Sequence, residues 1–140
     1  MTAEPVNVLL VDDTPANLLA YEVMLADLGQ NLLKAASAEE AFRVLLNNDV
    51  ALVVTDVSMP TLNGFEFAKM LRAHPRFAAT AIIFVSALAL SELDFLHGYE
   101  SGALDYVTAP VSPKIFRSKV KVFVELYRKQ REARAVEARA

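Results

Sequence analysis

At 140 residues the chain has the size of one domain, and with 54% hydrophobic and 22% charged residues it can bury a core rather than stay disordered. It has no cysteine and only two histidines, His74 and His97, which excludes disulfide frameworks, thiolate zinc sites and cysteine nucleophiles and argues against a multi-histidine metal site or a Ser-His-Asp relay. The net charge of −3 conceals a split: residues 113–140 hold nine Lys/Arg against three Glu, and residues 1–112 hold five against fourteen acids, so the tail has a role of its own.

In chain order, short apolar runs alternate with helical patterns. Val6–Val11 is a β-rich run that ends at Asp12 and Asp13. Thr14-Pro15 supplies an N-cap with proline at the first helical position, and an amphipathic helix follows as far as Gly29. Asn31–Ala35 reads as a second strand. Ser37 and Glu40 have capping-box spacing and open a helix to about Asn47. Ala51–Thr55 is an apolar strand ending at Asp56, and a helix follows Pro60 and Gly64 through Arg72, with Phe65 and Phe67 as packing groups. His74, at that helix end before Pro75, is expected to be a solvated C-terminal cation. Thr80–Val85 is buried-strand material closed by Ser86, with Ala87 small beside it. Ser91 to about Ser101 reads as a helix carrying His97, Leu104–Thr108 as a short strand, and Ser112-Pro113 as the start of a last helix able to run to Ala140.

Strands that are apolar throughout need cover on both faces, and crossover helices provide it. The expectation is therefore an α/β fold, a doubly wound, five-stranded parallel sheet. In such a sheet function gathers outside the carboxyl ends of the strands. Those ends carry Asp12 and Asp13, Asp56, Ser86 and Thr108. Two carboxylates about 5 Å apart at an effective dielectric of about 20 repel by about 3 kcal/mol. A hard divalent cation removes that cost and takes oxygen ligands, so an acidic Mg²⁺ pocket is expected. An Asp beside such an ion can act as a nucleophile toward phosphorus.

These residues resemble a family, the receiver domains of two-component response regulators, over nearly the whole chain. VLLVDDTPAN at 8–17 is similar to its acidic pair, VVTDVSMPTLNGFEF at 53–67 to its phosphoacceptor segment, FVSALA at 84–89 to its hydroxyl-bearing strand end and GALDYVTAP at 102–110 to its final strand. The spacing D-x-x-M-P-x-x-x-G falls on Asp56, Met59, Pro60 and Gly64. The resemblance implies a flavodoxin-like sheet of order 2-1-3-4-5 and phosphorylation of Asp56 by a histidine kinase or phosphotransfer protein. It also implies Mg²⁺ held by Asp13, Asp56 and the Ser58 backbone carbonyl, with Asp12 acting through water. Ser86 would bind a phosphoryl oxygen, and Tyr106 would be the aromatic switch. One position departs: where receivers carry a lysine before the final-strand proline, this chain has Ala109, and Lys114 is not expected to reach the same point. That ammonium normally pairs with the phosphoryl group and its neighbouring carboxylates, a bond worth about 1.5–3 kcal/mol.

Two functions follow as expectations. One is a phosphorylated switch of protein contacts; the other is a phosphorylation-independent pseudo-receiver that dimerises as a scaffold, favoured by Ala109. No enzymatic turnover is expected beyond self-phosphorylation from a donor and autodephosphorylation. A flavin site would place a phosphate against Asp12 and Asp13, which repel it, and a dehalogenase-type phosphatase would want an aspartate where Ser58 stands.

The last helix has two stripes. Phe116, Val120, Phe123, Val124 and Tyr127 can cover the sheet, and Ile115, Val122, Leu126, Ala133, Val136 and Ala140, with Lys119 and Lys129 in the gaps, form a seam suited to a short coiled coil. The expected division is a receiver domain over residues 1–127 and a helical extension over 128–140, either a coiled coil that makes a homodimer through the helix or a linker to an output module. Nucleic-acid binding is not expected, because Glu125, Glu132 and Glu137 interleave the basic charge. No secretion signal is visible, and the longest nearly apolar stretch, Ala81–Leu90, is ten residues, so a cytoplasmic location without membrane contact is expected.

Overall fold

The structure, a computed structural model, describes residues 5–86 and 105–139. The elements are β1 (Asn7–Val11), α1 (Pro15–Leu25), a 3₁₀ turn (Ala26–Leu28), β2 (Asn31–Ala35), α2 (Ala38–Asn47), β3 (Val50–Asp56), α3 (Gly64–Ala73), β4 (Ala81–Ser86), β5 (Asp105–Thr108) and a last helix, α4 (Pro113–Arg139). The helix expected from Ser91 with His97 on it, and the residues Ala87 and Leu104, lie outside the described residues.

All five strands are parallel and ordered β2-β1-β3-β4-β5. Alternation along each strand sends side chains to opposite faces. Leu9, Val11, Val53, Ile82, Phe84 and Tyr106 point to the face that α2 and α3 cover. Val8, Leu10, Leu52, Val54, Ile83 and Val85 point to the other, under Leu18 and Leu25 of α1 and Phe116, Val120 and Val124 of α4. This two-sided burial is why these strands show no polar–apolar alternation. Because all strands run one way, Asp12 and Asp13 after β1 and the terminal residues Asp56, Ser86 and Thr108 share one edge of the sheet.

Local signals set the helix starts. Pro15 opens α1, and Gly29 ends the turn after it in the left-handed conformation, φ 73°. Ser37 Oγ accepts the Glu40 N–H at 3.1 Å, as its spacing requires, but Glu40 Oε2 reaches past the cap to accept the Ala36 N–H at 3.1 Å. A full reciprocal box occurs instead at α3: Asn63 Oδ1 accepts the Glu66 N–H at 2.9 Å and Glu66 Oε1 accepts the Asn63 N–H at 3.1 Å.

Two expectations are corrected. The first helix is not amphipathic: Leu18, Tyr21 and Leu25 face inward, yet Leu19 and Val23 on the opposite side are 61% and 70% exposed. Lys119 does not fill the outer seam of α4, since its Nζ is turned onto Asp105 Oδ1 at 2.7 Å and the Tyr106 carbonyl at 3.1 Å. His74 is exposed at the C-cap of α3, where its Nδ1 accepts the Arg76 N–H at 3.2 Å and its ring stacks on Phe77 at 4.7 Å.

The last helix covers the sheet with Phe116, Val120 and Val124 and half-buries Phe123 and Tyr127, while Ile115, Val122, Leu126 and Val136 are exposed. Its 27 residues rise about 40 Å at about 1.5 Å per residue, against about 20 Å for a six-residue strand. Beyond Tyr127 the helix therefore leaves the sheet behind, and residues 129–137 are exposed.

Candidate functional site

The acidic edge assembles as the strand ends require. One oxygen from each of Asp12, Asp13 and Asp56 lies within 4.8 Å of the others. Their surroundings differ. Asp12 is fully buried, Asp13 is exposed and Asp56 is half-buried. Among the described residues, no lysine or arginine forms an ion pair with any of the three.

Asp56 closes β3, and the Ser58 N–H donates to its Oδ1 at 3.2 Å. Burial first, then the negative charge of Asp12, push its carboxyl up to about 6; the Ser58 and Val57 backbone N–H groups oppose this, and Asp13 adds to the rise. A carboxylate raised by unbalanced neighbours is one that a cation would stabilise. Oxygen donors from separate strand ends, converging without a basic partner, are the donor set that Mg²⁺ takes. The residues fit that ion.

The motif glycine has a steric reason. The Gly64 N–H donates to the Val57 carbonyl at 2.9 Å, so α3 begins directly against the loop after Asp56. A Cβ on Gly64 would lie 2.4 Å from the Asp56 carbonyl oxygen, closer than any side chain tolerates. Met59 is buried and anchors the same loop in the core. Thr61 has φ 70° as the central residue of a three-residue turn, which the Leu62 N–H closes by donating to the Pro60 carbonyl at 2.8 Å.

Ser86 ends β4 beside Asp56, with the pair Asp56 and Val85 in register and the Val57 N–H donating to the Val85 carbonyl at 3.1 Å. Ala109 follows β5, and its N–H donates to the Ser86 carbonyl at 2.8 Å, so the position that departs from the expected lysine sits at the same strand edge. Tyr106 is not at that edge but within the sheet. Its ring is buried on the α2–α3 face, 5.4 Å from Phe84, which in turn packs edge-on against Phe65 at 4.8 Å.

Two contributors are not apparent in the sequence. Tyr21 of α1 donates its hydroxyl to Asp12 Oδ2 at 3.0 Å, and Asn17 Nδ2 donates to the same carboxylate, 3.2 Å from Oδ2. The Tyr21 hydroxyl is pushed well above the usual phenol range, by burial foremost and then by the adjacent Asp12 charge. The signal is a tyrosine nine residues after the first aspartate, which helical periodicity alone reads as core.

Comparison with known proteins agrees with this geometry. A family model described as the response regulator receiver domain matches residues 8–121. The chain belongs to the response regulator receiver domains. It is 34% identical over 112 residues to the response regulator Rre1 of Synechocystis, covering 79% of this chain and 48% of that protein. It is 30% identical over 121 residues to the sensor histidine kinase CheAY of Helicobacter pylori, covering 85% of this chain and 15% of that one. The chain thus spans about half or less of these relatives' length. Among solved structures it is similar to a putative response regulator from Chloroflexus aurantiacus, with a TM-score of 0.81 and 29% identity over 87% of this chain and 99% of that one. The flavodoxin-like architecture and the receiver family are as the sequence indicated. Among the described residues no helix is long and apolar enough to cross a membrane.

Proposed function

We propose that Asp56 accepts a phosphoryl group from a histidine kinase or phosphotransfer protein, and that the modification switches protein–protein contacts of a cytoplasmic signalling protein. The observation that carries this reading is the convergence of Asp12, Asp13 and Asp56 within 4.8 Å with Asp56 raised toward pH 6. A carboxylate oxygen of Asp56 bonds to phosphorus as the phosphorus–donor bond breaks, and the donor leaves with that electron pair. The Ser58 N–H holds the attacking carboxylate by its other oxygen. Ser86, at the neighbouring strand end, would bind a phosphoryl oxygen, and Tyr106, packed on Phe84 of the same strand, would respond to its movement as the switch. Asp13, Asp56 and the Ser58 carbonyl would hold Mg²⁺, with Asp12 acting through water. When bound, the ion neutralises the carboxylates and the incoming phosphoryl oxygens. Partner docking is supported by α1, which starts directly after the acidic loop and presents exposed Leu19 and Val23 outward.

Incubation with Mg²⁺ and a small acyl phosphate is expected to add one phosphoryl group by intact mass, and Asp56→Asn to abolish it. A wild-type chain that remains unmodified at high donor concentration refutes the reading.

A second reading, a phosphorylation-independent scaffold, is favoured by Ala109 together with the exposed seam Ile115, Val122, Leu126 and Val136. In it residues 1–127 form the receiver and the extension over 128–140 pairs with a second copy. Apolar positions without cover on a protruding helix are stabilised by a partner helix. Neither reading involves a membrane or nucleic acid, or turnover beyond the loading and loss of the aspartyl phosphate.

A further inference from the structure

Asp12 poses a charge problem that its neighbours answer in an unusual way. The carboxylate is fully buried, and among the described residues no cation pairs with it. A buried carboxylate without a counter-charge is strongly disfavoured unless hydrogen-bond donors surround it. Here the donors are all neutral. The Thr14 N–H donates to Oδ1 at 2.9 Å, Asn17 Nδ2 lies 3.4 Å from Oδ1 and 3.2 Å from Oδ2, and the Tyr21 hydroxyl donates to Oδ2 at 3.0 Å. The backbone contribution is what a turn after any such Asp offers; the two side chains belong to this sequence.

Tyr21 is also the better fixed of the two. Its ring is 5% exposed and packs edge-on against Phe116 at 5.7 Å, which holds the hydroxyl on Asp12 without further loss of side-chain freedom. We propose that Tyr21, assisted by Asn17, is a positioning residue that holds Asp12 as an oriented carboxylate, doing with neutral donors what an ammonium group at position 109 would otherwise do. The proposal rests on the reading of the acidic edge as the ion and phosphoryl site. One consequence is a division of labour among the acids: both oxygens of Asp12 are engaged by protein donors, which leaves exposed Asp13 and half-buried Asp56 as the groups free to coordinate directly.

The test is a double-mutant cycle. Tyr21→Phe keeps the ring against Phe116 and removes only the hydroxyl. In urea unfolding at pH 7 with chelator present, it is expected to raise the unfolding equilibrium constant roughly tenfold, the effect of removing a donor from a buried charge. In an Ala109→Lys background the same substitution is expected to cost about threefold or less, because the new ammonium takes over the charge. An equal loss in both backgrounds overturns the proposal, because the hydroxyl then does nothing that an ammonium group at position 109 replaces. If Ala109→Lys does not fold, Asp12→Asn replaces it: the cost of Tyr21→Phe must shrink when residue 12 carries no charge, and an undiminished cost overturns the proposal in the same way. Mg²⁺ titration of the wild-type chain by calorimetry reports on the ion site separately, so an absent ion site and a failed cycle are read apart.

Discussion

Neutralising Asp56 should stabilise the metal-free protein at neutral pH, although it removes the phosphoacceptor. In the folded chain the Asp56 carboxyl is raised from its ordinary 3.8 to about 6, by burial and by the charges of Asp12 and Asp13. Between these values the folded state holds a proton that the unfolded state has lost, so stability falls as pH rises from about 4 to about 6 and stays low above that. Taken whole, the difference is about 3 kcal/mol, of the same size as the repulsion of two carboxylates about 5 Å apart at an effective dielectric of about 20. Asp56 is only half-buried, and water screens it, which leaves about 1–2 kcal/mol. Asp56→Asn is therefore expected to gain about 1–2 kcal/mol over wild type at pH 7 in chelator, or about 3–8 °C in thermal midpoint for a chain of this size. At pH 4 the gain should nearly vanish, since Asp56 is then protonated in the folded wild type, and saturating Mg²⁺ should shrink it at pH 7 by relieving the same repulsion. Calorimetric or urea melts at the two pH values measure this directly. An Asp56→Asn variant less stable than wild type at pH 7 in chelator refutes the account of three mutually repelling carboxylates.

Two further outcomes are expected. Gly64→Ala should cost about 1–3 kcal/mol in urea unfolding, because its Cβ would lie 2.4 Å from the Asp56 carbonyl oxygen and the loop must shift; a loss below about 0.5 kcal/mol would show that the close approach is not what requires glycine. Truncation after Tyr127 should lower the apparent mass in light scattering while leaving the thermal midpoint nearly unchanged, since residues 129–137 are exposed; an unaltered mass rules out dimerisation through the extension.

The sheet could be read from the sequence because burial on both faces leaves a plain mark, uninterrupted runs such as VVT before Asp56 and IIFV before Ser86. The acidic edge could be read for a related reason: polar residues that end apolar strands share an edge whenever the strands are parallel. What escaped the reading depends on tertiary distance. Tyr21 and Asn17 meet Asp12 from α1, nine and five residues on, and nothing in helical spacing says that a carboxylate lies at the end of that reach. The outward apolar face of α1 was hidden because a helix rich in Leu, Val and Met shows little contrast between its sides. Lys119 was placed in the outer seam of the last helix by its spacing alone, whereas Asp105 lies within reach of its ammonium group.

The long helix ties the two readings of function to one piece of geometry. Its first turn places Phe116 against Tyr21, whose hydroxyl holds Asp12, so the base of α4 is one side chain removed from the acidic edge. The rest of the helix runs back along the sheet and past it, carrying Val122, Leu126 and Val136 outward. A helix is stiff over this length, so a change at its base is delivered at its end as a rotation. A tilt of about 5° at Phe116 displaces the far end of a helix about 40 Å long by about 3 Å, enough to misalign knobs and holes between two such helices. No chain of side-chain rearrangements across the sheet is needed for this. The switch and the scaffold, as proposed, would use the same helix and the same seam, and would differ in whether chemistry at Asp56 reaches Tyr21. With alanine at 109, the contact described between the acids and α4 runs through Tyr21 of α1, whose hydroxyl donates to Asp12 and whose ring packs edge-on against Phe116.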